Sequence, residues 1–244
     1  MGKKVVMING SFRKKNTYNL LVQIGQILKA HDIESEILNL FDYKIDDCVG
    51  CDDVCIRQGH CHVADDMSGI MQKILDSDGL ILSSPVYLCG VTSKFKAFAD
   101  RTNAWFHKPE PVGMPVLFVT TTASTGIKET IHFLDQLTTG YGTRKGGFIS
   151  RTRGAFDVPV KEKELSRFLS LLIKDKKHYH PTMNEIVIFE VQKVLALKSN
   201  GDDRKFWEEK GWINQCYYYN CSMGPAKKLF SKMMFGILSR AINF

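Results

Sequence analysis

Val5-Val6-Met7-Ile8-Asn9-Gly10-Ser11-Phe12-Arg13-Lys14-Lys15-Asn16-Thr17 decides the fold. The four apolar residues at its start are too few for a helix and suit a strand buried on both faces. Gly10 ends the run and lets the backbone turn tightly. Thr17 reads as the cap of a helix in which Leu20, Leu21, Ile24, Ile27 and Leu28 recur at helical spacing. A buried strand that feeds a polar loop and then an amphipathic helix is the opening unit of a parallel α/β sheet.

The alternation continues along the chain. Ile33 to Leu40 reads as a strand, and Asp66 to Leu75 as a helix carrying Met67, Ile70, Met71 and Ile74. Gly79 to Val86 is a strand, and Ser93 to Phe106 a helix with Phe95, Phe98 and Ala99 on one face. Pro115 to Thr120, Ile127 to Leu137, Gly147 to Ser150 and Lys161 to Lys174 follow as strand, helix, strand and helix. The expectation is a doubly wound α/β fold with a five-stranded parallel sheet. Ligands of such sheets bind outside the carboxyl ends of the strands. The loops after Ile8, Ser84 and Thr120 should therefore gather at one edge.

After about Pro181 the pattern changes, so 1–180 reads as the α/β domain and 181–244 as a helical C-terminal extension. Met183 to Lys198 is helical, and Phe206 to Tyr219 is rich in aromatics. Gly224-Pro225 starts a last helix, with proline suited to its first turn. That helix carries a stripe of Leu229, Phe230, Met233, Met234, Ile237 and Leu238, with Lys227, Lys228, Lys232 and Arg240 around it. Such a helix could lie on an anionic membrane surface, or pack on a partner subunit or its own domain. Packing is the expected outcome, because a Met-rich stripe is usually core. Trp207, Trp212 and Tyr217 to Tyr219 point to compact folding of the extension, and could also close over the ligand site.

Composition bounds the function. The 244 residues are 44% hydrophobic, enough for a substantial core. Thirty-three basic against 26 acidic residues give a net charge of +7. That excess is spread out, without an arginine-rich tract or a nucleic-acid motif, so no nucleic-acid partner is expected. The sequence has no run of about 18 apolar residues and no signal-peptide core, so a cytoplasmic protein with reduced thiols is expected.

The loop Gly10 to Thr17 could hold a phosphate. A helix N-terminus offers free N–H groups and partial positive charge. Ser11, Asn16 and Thr17 are side-chain donors, and Arg13 is a fork-shaped cation. The loop matches neither G-x-G-x-x-G nor the P-loop pattern. From these residues alone, a phosphate site and a plain turn both stand. Ser83-Ser84-Pro85-Val86-Tyr87-Leu88-Cys89-Gly90-Val91-Thr92 follows the next central strand. Its backbone could flank a flat ring with Tyr87 over one face, or form an ordinary turn.

Taken together, Gly10 to Thr17, Ala64-Asp65-Asp66-Met67, Ser84 to Tyr87 and Lys94 to Arg101 resemble the NADPH-dependent FMN reductase family, within the flavodoxin-like fold. The resemblance runs in order through roughly the first 150 residues. It implies FMN at the switch point of the sheet. Ser11, Arg13, Asn16 and Thr17 would then contact its phosphate. Pro85, Val86, Tyr87, Leu88, Cys89 and Gly90 would contact the isoalloxazine, and Thr121, Thr122, Ala123 and Ser124 would form a third flavin loop. The activity implied is hydride transfer from NADPH or NADH to FMN, then electron transfer to a small molecule or a redox protein. The flavin carries that chemistry, so no catalytic side chain is named. A homo-oligomer is also implied. The alternatives are an electron carrier reduced by a protein partner and a non-enzymatic cysteine–metal module.

Cys48, Cys51, Cys55 and Cys61 are separated by two, three and five residues. Four thiolates so close could ligate zinc or an iron–sulfur cluster. The stretch resembles the compact cysteine motif of iron–sulfur flavoproteins, whose first three cysteines are more tightly spaced. Cluster, zinc and free thiols all remain open. His60 and His62 flank the loop and are not read as ligands.

Overall fold

The computed structural model describes residues 2–51, 54–199 and 202–242. Five strands, β1 (Lys3–Asn9), β2 (Ile33–Asn39), β3 (Gly79–Pro85), β4 (Pro115–Thr122) and β5 (Arg144–Thr152), form one sheet in the order β2-β1-β3-β4-β5. All four pairings are parallel. This is the doubly wound, flavodoxin-like order, with the switch point between β1 and β3. Its helices are α1 (Asn16–Ala30), α2 (Val54–Gln58), α3 (Met67–Leu75), α4 (Ser93–Arg101), α5 (Ala104–His107), α6 (Ile127–Gly140) and α7 (Glu162–Ile173).

Alternation along the strands divides the core in two. Val6, Ile8, Leu80, Leu82, Val116 and Phe118 pack with α3, α4 and α6. Val5, Met7, Ile81, Leu117 and Val119 pack with Leu20, Leu21 and Ile24 of α1 and Leu165 and Phe168 of α7. With both faces covered, the apolar runs are continuous.

Several boundaries differ from the sequence reading, for local reasons. Thr17 lies in the first turn of α1 and does not cap it; Lys15 stands at the cap position and makes no side-chain capping bond. The helix expected from Ser93 to Phe106 breaks into α4 and α5. At the break, the Thr102 hydroxyl bonds back to the Ala99 carbonyl at 2.6 Å and also meets the Tyr141 hydroxyl. Such back-bonding competes with helix continuation. β2 stops at Asn39 because Leu40–Asp42 winds into a 3-10 turn. The cysteine loop contains the short helix α2.

The extension comprises α8 (Met183–Lys198), α9 (Asp202–Glu209) and α10 (Pro225–Ala241). The Thr182 hydroxyl accepts from the Glu185 N–H, and the Glu185 carboxylate accepts from the Thr182 N–H, so a capping box opens α8. Phe189, Trp207, Trp212, Tyr217 and Tyr218 form a third core, with Val112 packed against it. Gln192 donates to the carbonyls of Phe106 and Gly140, and Trp207 Nε1 to that of His107. The Tyr218 ring lies on Gly142, just before β5, where a Cβ would come within 2.8 Å of it. These aromatics therefore sit at the amino ends of β4 and β5. They do not close over the loops at the carboxyl ends.

Candidate functional site

Three loops leave the carboxyl ends of β1, β3 and β4, and a small set of polar contacts fastens them to one another. Thr92 is the hub. Its hydroxyl donates to the Gly10 carbonyl at 2.7 Å and accepts from the Phe95 N–H, so it caps α4 and holds the first loop at once. Gly10 N–H donates to the Ser83 carbonyl at 2.8 Å. A Cβ on Gly10 would lie 2.9 Å from the Phe95 ring and 3.0 Å from Ser83 O, so only glycine fits this approach. Val86 N–H donates to Thr121 O at 2.8 Å, and the Thr17 and Thr121 hydroxyls meet at 2.6 Å. Gly126, at φ +89°, lets the third loop pack on the second; a Cβ there would be 2.5 Å from Val86.

Within the first loop, Asn9 bridges Asn39 and the Ser11 carbonyl, and its own side-chain oxygen accepts from Ser11 N–H. The buried Ser11 hydroxyl donates to Arg13 O at 2.9 Å. Ser11 thus braces the turn, while Arg13 and Asn16 are exposed beside it. The first N–H groups of α1 have no partner within the helix, and its first turn holds no acidic residue. A Thr17–Thr121 pair has two protons and needs one for its own contact, which leaves the other for a ligand. A free helix start, a nearby guanidinium and a spare hydroxyl proton are a donor set that fits a phosphate dianion.

In the second loop, Tyr87 and Gly90 exchange two backbone hydrogen bonds, of 2.9 and 3.0 Å. Leu88 and Cys89 at the tip take φ of +46° and +58°, left-handed values for residues other than glycine. Leu88 is fully exposed and Tyr87 half-exposed. Pro85 and Val86 are partly covered at the base of this loop. In the third loop, the Thr122 hydroxyl accepts from Ser124 N–H and donates to Thr125 O, while Ala123 and Ser124 are exposed. The structure thus brings the three groups of candidate residues to one edge. Asn9, Asn39, Thr92 and Gly126, which hold them there, were not singled out from sequence; a threonine directly before the helix expected at Ser93 is a readable cap signal.

The cysteine loop lies against α4 by a different device. The Arg101 guanidinium is buried beside the Asp65 carboxylate at 2.6 Å. It also donates to Asp46 O and to Cys61 Sγ, the latter at 3.2 Å. Burial works against the charge on Asp65, but Arg101 and the N–H groups of Asp46 and Met67 hold its carboxyl below the usual range. Cys55 is pushed the other way: burial raises its thiol pKa, and the neighbouring Cys51, Cys61 and Cys48 raise it further against an Asn103 hydrogen bond. Among the described residues, no three His, Cys, Asp or Glu side chains are arranged to hold a metal ion. Cys51, Cys61 and Cys48 thus lie close enough to Cys55 to act on its thiol.

The family model for NADPH-dependent FMN reductases matches residues 3–147, which hold all three loops and the cysteine loop. The chain belongs to that family. An iron–sulfur flavoprotein of Methanocaldococcus jannaschii is 37% identical over 41% of this chain and 51% of its own length. The chain thus spans about half the length of that relative. An iron–sulfur flavoprotein of Archaeoglobus fulgidus is 28% identical over 86% of this chain and 100% of its own length. Among solved structures, RosB with its bound 8-demethyl-8-formylriboflavin-5'-phosphate intermediate superposes with a TM-score of 0.57 at 14% identity, covering 68% of this chain and 75% of RosB. At that identity the likeness shows the fold that this FMN reductase family member shares, and no more.

Proposed function

We propose that this protein is an FMN-dependent oxidoreductase that takes a hydride from NADPH or NADH and passes electrons to a second acceptor, a small molecule or a redox protein. One observation supports it above the rest: the loops after β1, β3 and β4 are tied together by Thr92, Val86 and the Thr17–Thr121 pair at the switch point, around a helix start without a side-chain cap. Arg13, Asn16, Thr17 and the N–H groups of α1 would hold the phosphate, with Ser11 bracing their turn. Pro85 to Gly90 would flank the ring system, and Thr121 to Ser124 would form its third wall. The cofactor supplies the two-electron chemistry when bound. The protein's part is to orient it, to donate hydrogen bonds toward it and to shape the approach of the two substrates.

The test uses the purified full chain. Bound yellow chromophore should bleach when NADPH or NADH is added without oxygen, and colour should return with an acceptor. Arg13→Ala should weaken FMN binding by roughly tenfold or more, the worth of a charge-assisted hydrogen bond. Reduction by a redox protein alone, with both nicotinamides inert, would instead establish an electron carrier. Bound metal without flavin would discard both readings.

A further inference from the structure

The last helix is only half used by the fold. α10 rests on α8 along one side, where the buried Ser231 hydroxyl bonds to Glu190 and Lys198 donates to the carbonyls of Ser239 and Ile242. Phe230, Met234 and Leu238 are partly covered there. The opposite side carries Leu229, Met233 and Ile237, which are 70%, 52% and 51% exposed. Their spacing of four residues sets them in one row about 12 Å long. Gly236 shares that side, and nothing lies within 4 Å of where its Cβ would be. The packing expected for the whole stripe is thus realised for half of it.

Charge narrows what can cover this row. Lys227, Lys228, Lys232 and Arg240 lie on α10, and Pro225–Ala241 contains no Asp or Glu. A second copy docked helix to helix would set these cations against themselves, with no carboxylate on either helix to neutralise them. A redox protein docked here would face the wrong end of the molecule. α8, which carries α10, is anchored at Phe106 and Gly140, near the amino ends of β4 and β5. The flavin loops lie beyond the carboxyl ends, the eight residues of β4 or about 26 Å away. An apolar row bordered by cations on a helix is the pattern of an interfacial amphipathic segment. Among the described residues no helix is long and apolar enough to cross a membrane, which agrees with lying on the surface.

We propose that α10 docks the protein on an anionic lipid bilayer, with Leu229, Met233 and Ile237 among the acyl chains and Lys228, Lys232 and Arg240 at the headgroups. The flavin loops would then face away from the bilayer, open to soluble substrates.

Flotation of the full-length protein with vesicles tests this. Vesicles of phosphatidylcholine with about one-third phosphatidylserine should carry the protein upward at about 0.1 M salt, and phosphatidylcholine alone should not. Lys232→Gln with Arg240→Gln should lower binding by roughly tenfold or more, and so should Met233→Ser with Ile237→Ser. These positions are exposed, so melting temperature and flavin content should not change. The proposal is overturned if the unaltered protein ignores anionic vesicles, or if the Met233/Ile237 variant binds them equally well. It is also overturned if that variant dissociates an oligomer in light scattering, which would assign the face to a second copy. Retention of an acidic ferredoxin through α10, with no vesicle binding, would assign it to a protein partner.

Discussion

Asp65 and Arg101 tie the cysteine loop to α4 through a buried ion pair. Both side chains are almost wholly buried, and removing one charge strands the other. Asp65→Asn should cost about 3–5 kcal/mol, read by urea unfolding. It should also speed labelling of Cys61, because Arg101 would lose the partner that holds it over the sulfur. The pH sign follows from the lowered Asp65 pKa. Its stabilisation is complete above the unfolded value near ~3.9 and is lost as pH falls through the lower folded value. An acid titration of the melting temperature should show this, and Asp65→Asn should remove that part of the dependence. Gly10 is the equivalent residue of the first loop. Gly10→Ala forces a Cβ against Phe95 and Ser83 O, both in packed surroundings. It should cost about 1–3 kcal/mol and weaken FMN binding, measured by quenching of flavin fluorescence.

At the scale of elements, the turn Tyr87-Leu88-Cys89-Gly90 is the place where local preference and structure disagree. Two consecutive left-handed residues are the geometry of a tight hairpin turn, which favours Asn-Gly. Here the positions are Leu88 and Cys89, and Leu88 buries nothing in exchange. Strained backbone of this kind tends to sit where a ligand is held. The double substitution Leu88→Asn with Cys89→Gly should raise stability by about 1 kcal/mol or more, seen as a higher melting temperature. If Leu88 and Cys89 flank the flavin as proposed, the same variant should bind FMN more weakly.

At the scale of the molecule, the extension meets the α/β core at the end opposite the three candidate loops. It also reaches the cysteine helix: Asp203 of α9 pairs with His107 at 3.3 Å and Lys108 at 3.6 Å, and Lys108 donates to Arg57 O of α2. Trp207→Ala would empty the centre of the third core and should cost about 3–5 kcal/mol in denaturant melts. FMN affinity should stay within about twofold, because the cluster is far from the loops; a larger loss would return the aromatics to the site. What the sequence by itself determined is the order of elements. Val5 to Ile8, Gly79 to Leu82 and Pro115 to Val119 read as strands covered on both faces, and such runs alternating with amphipathic helices give a parallel sheet with few possible topologies. The three candidate loops follow from that alternation and needed no tertiary contact to find. Tertiary structure alone decided how they are held. Thr92 binding Gly10, Thr17 meeting Thr121 and Arg101 meeting Asp65 join residues 36 to 104 positions apart, and no local pattern encodes such pairs. It also divided the α10 stripe into a packed half and an open half. Helical spacing marks which residues share a face, but only the neighbours that arrive from elsewhere determine which part of that face is covered.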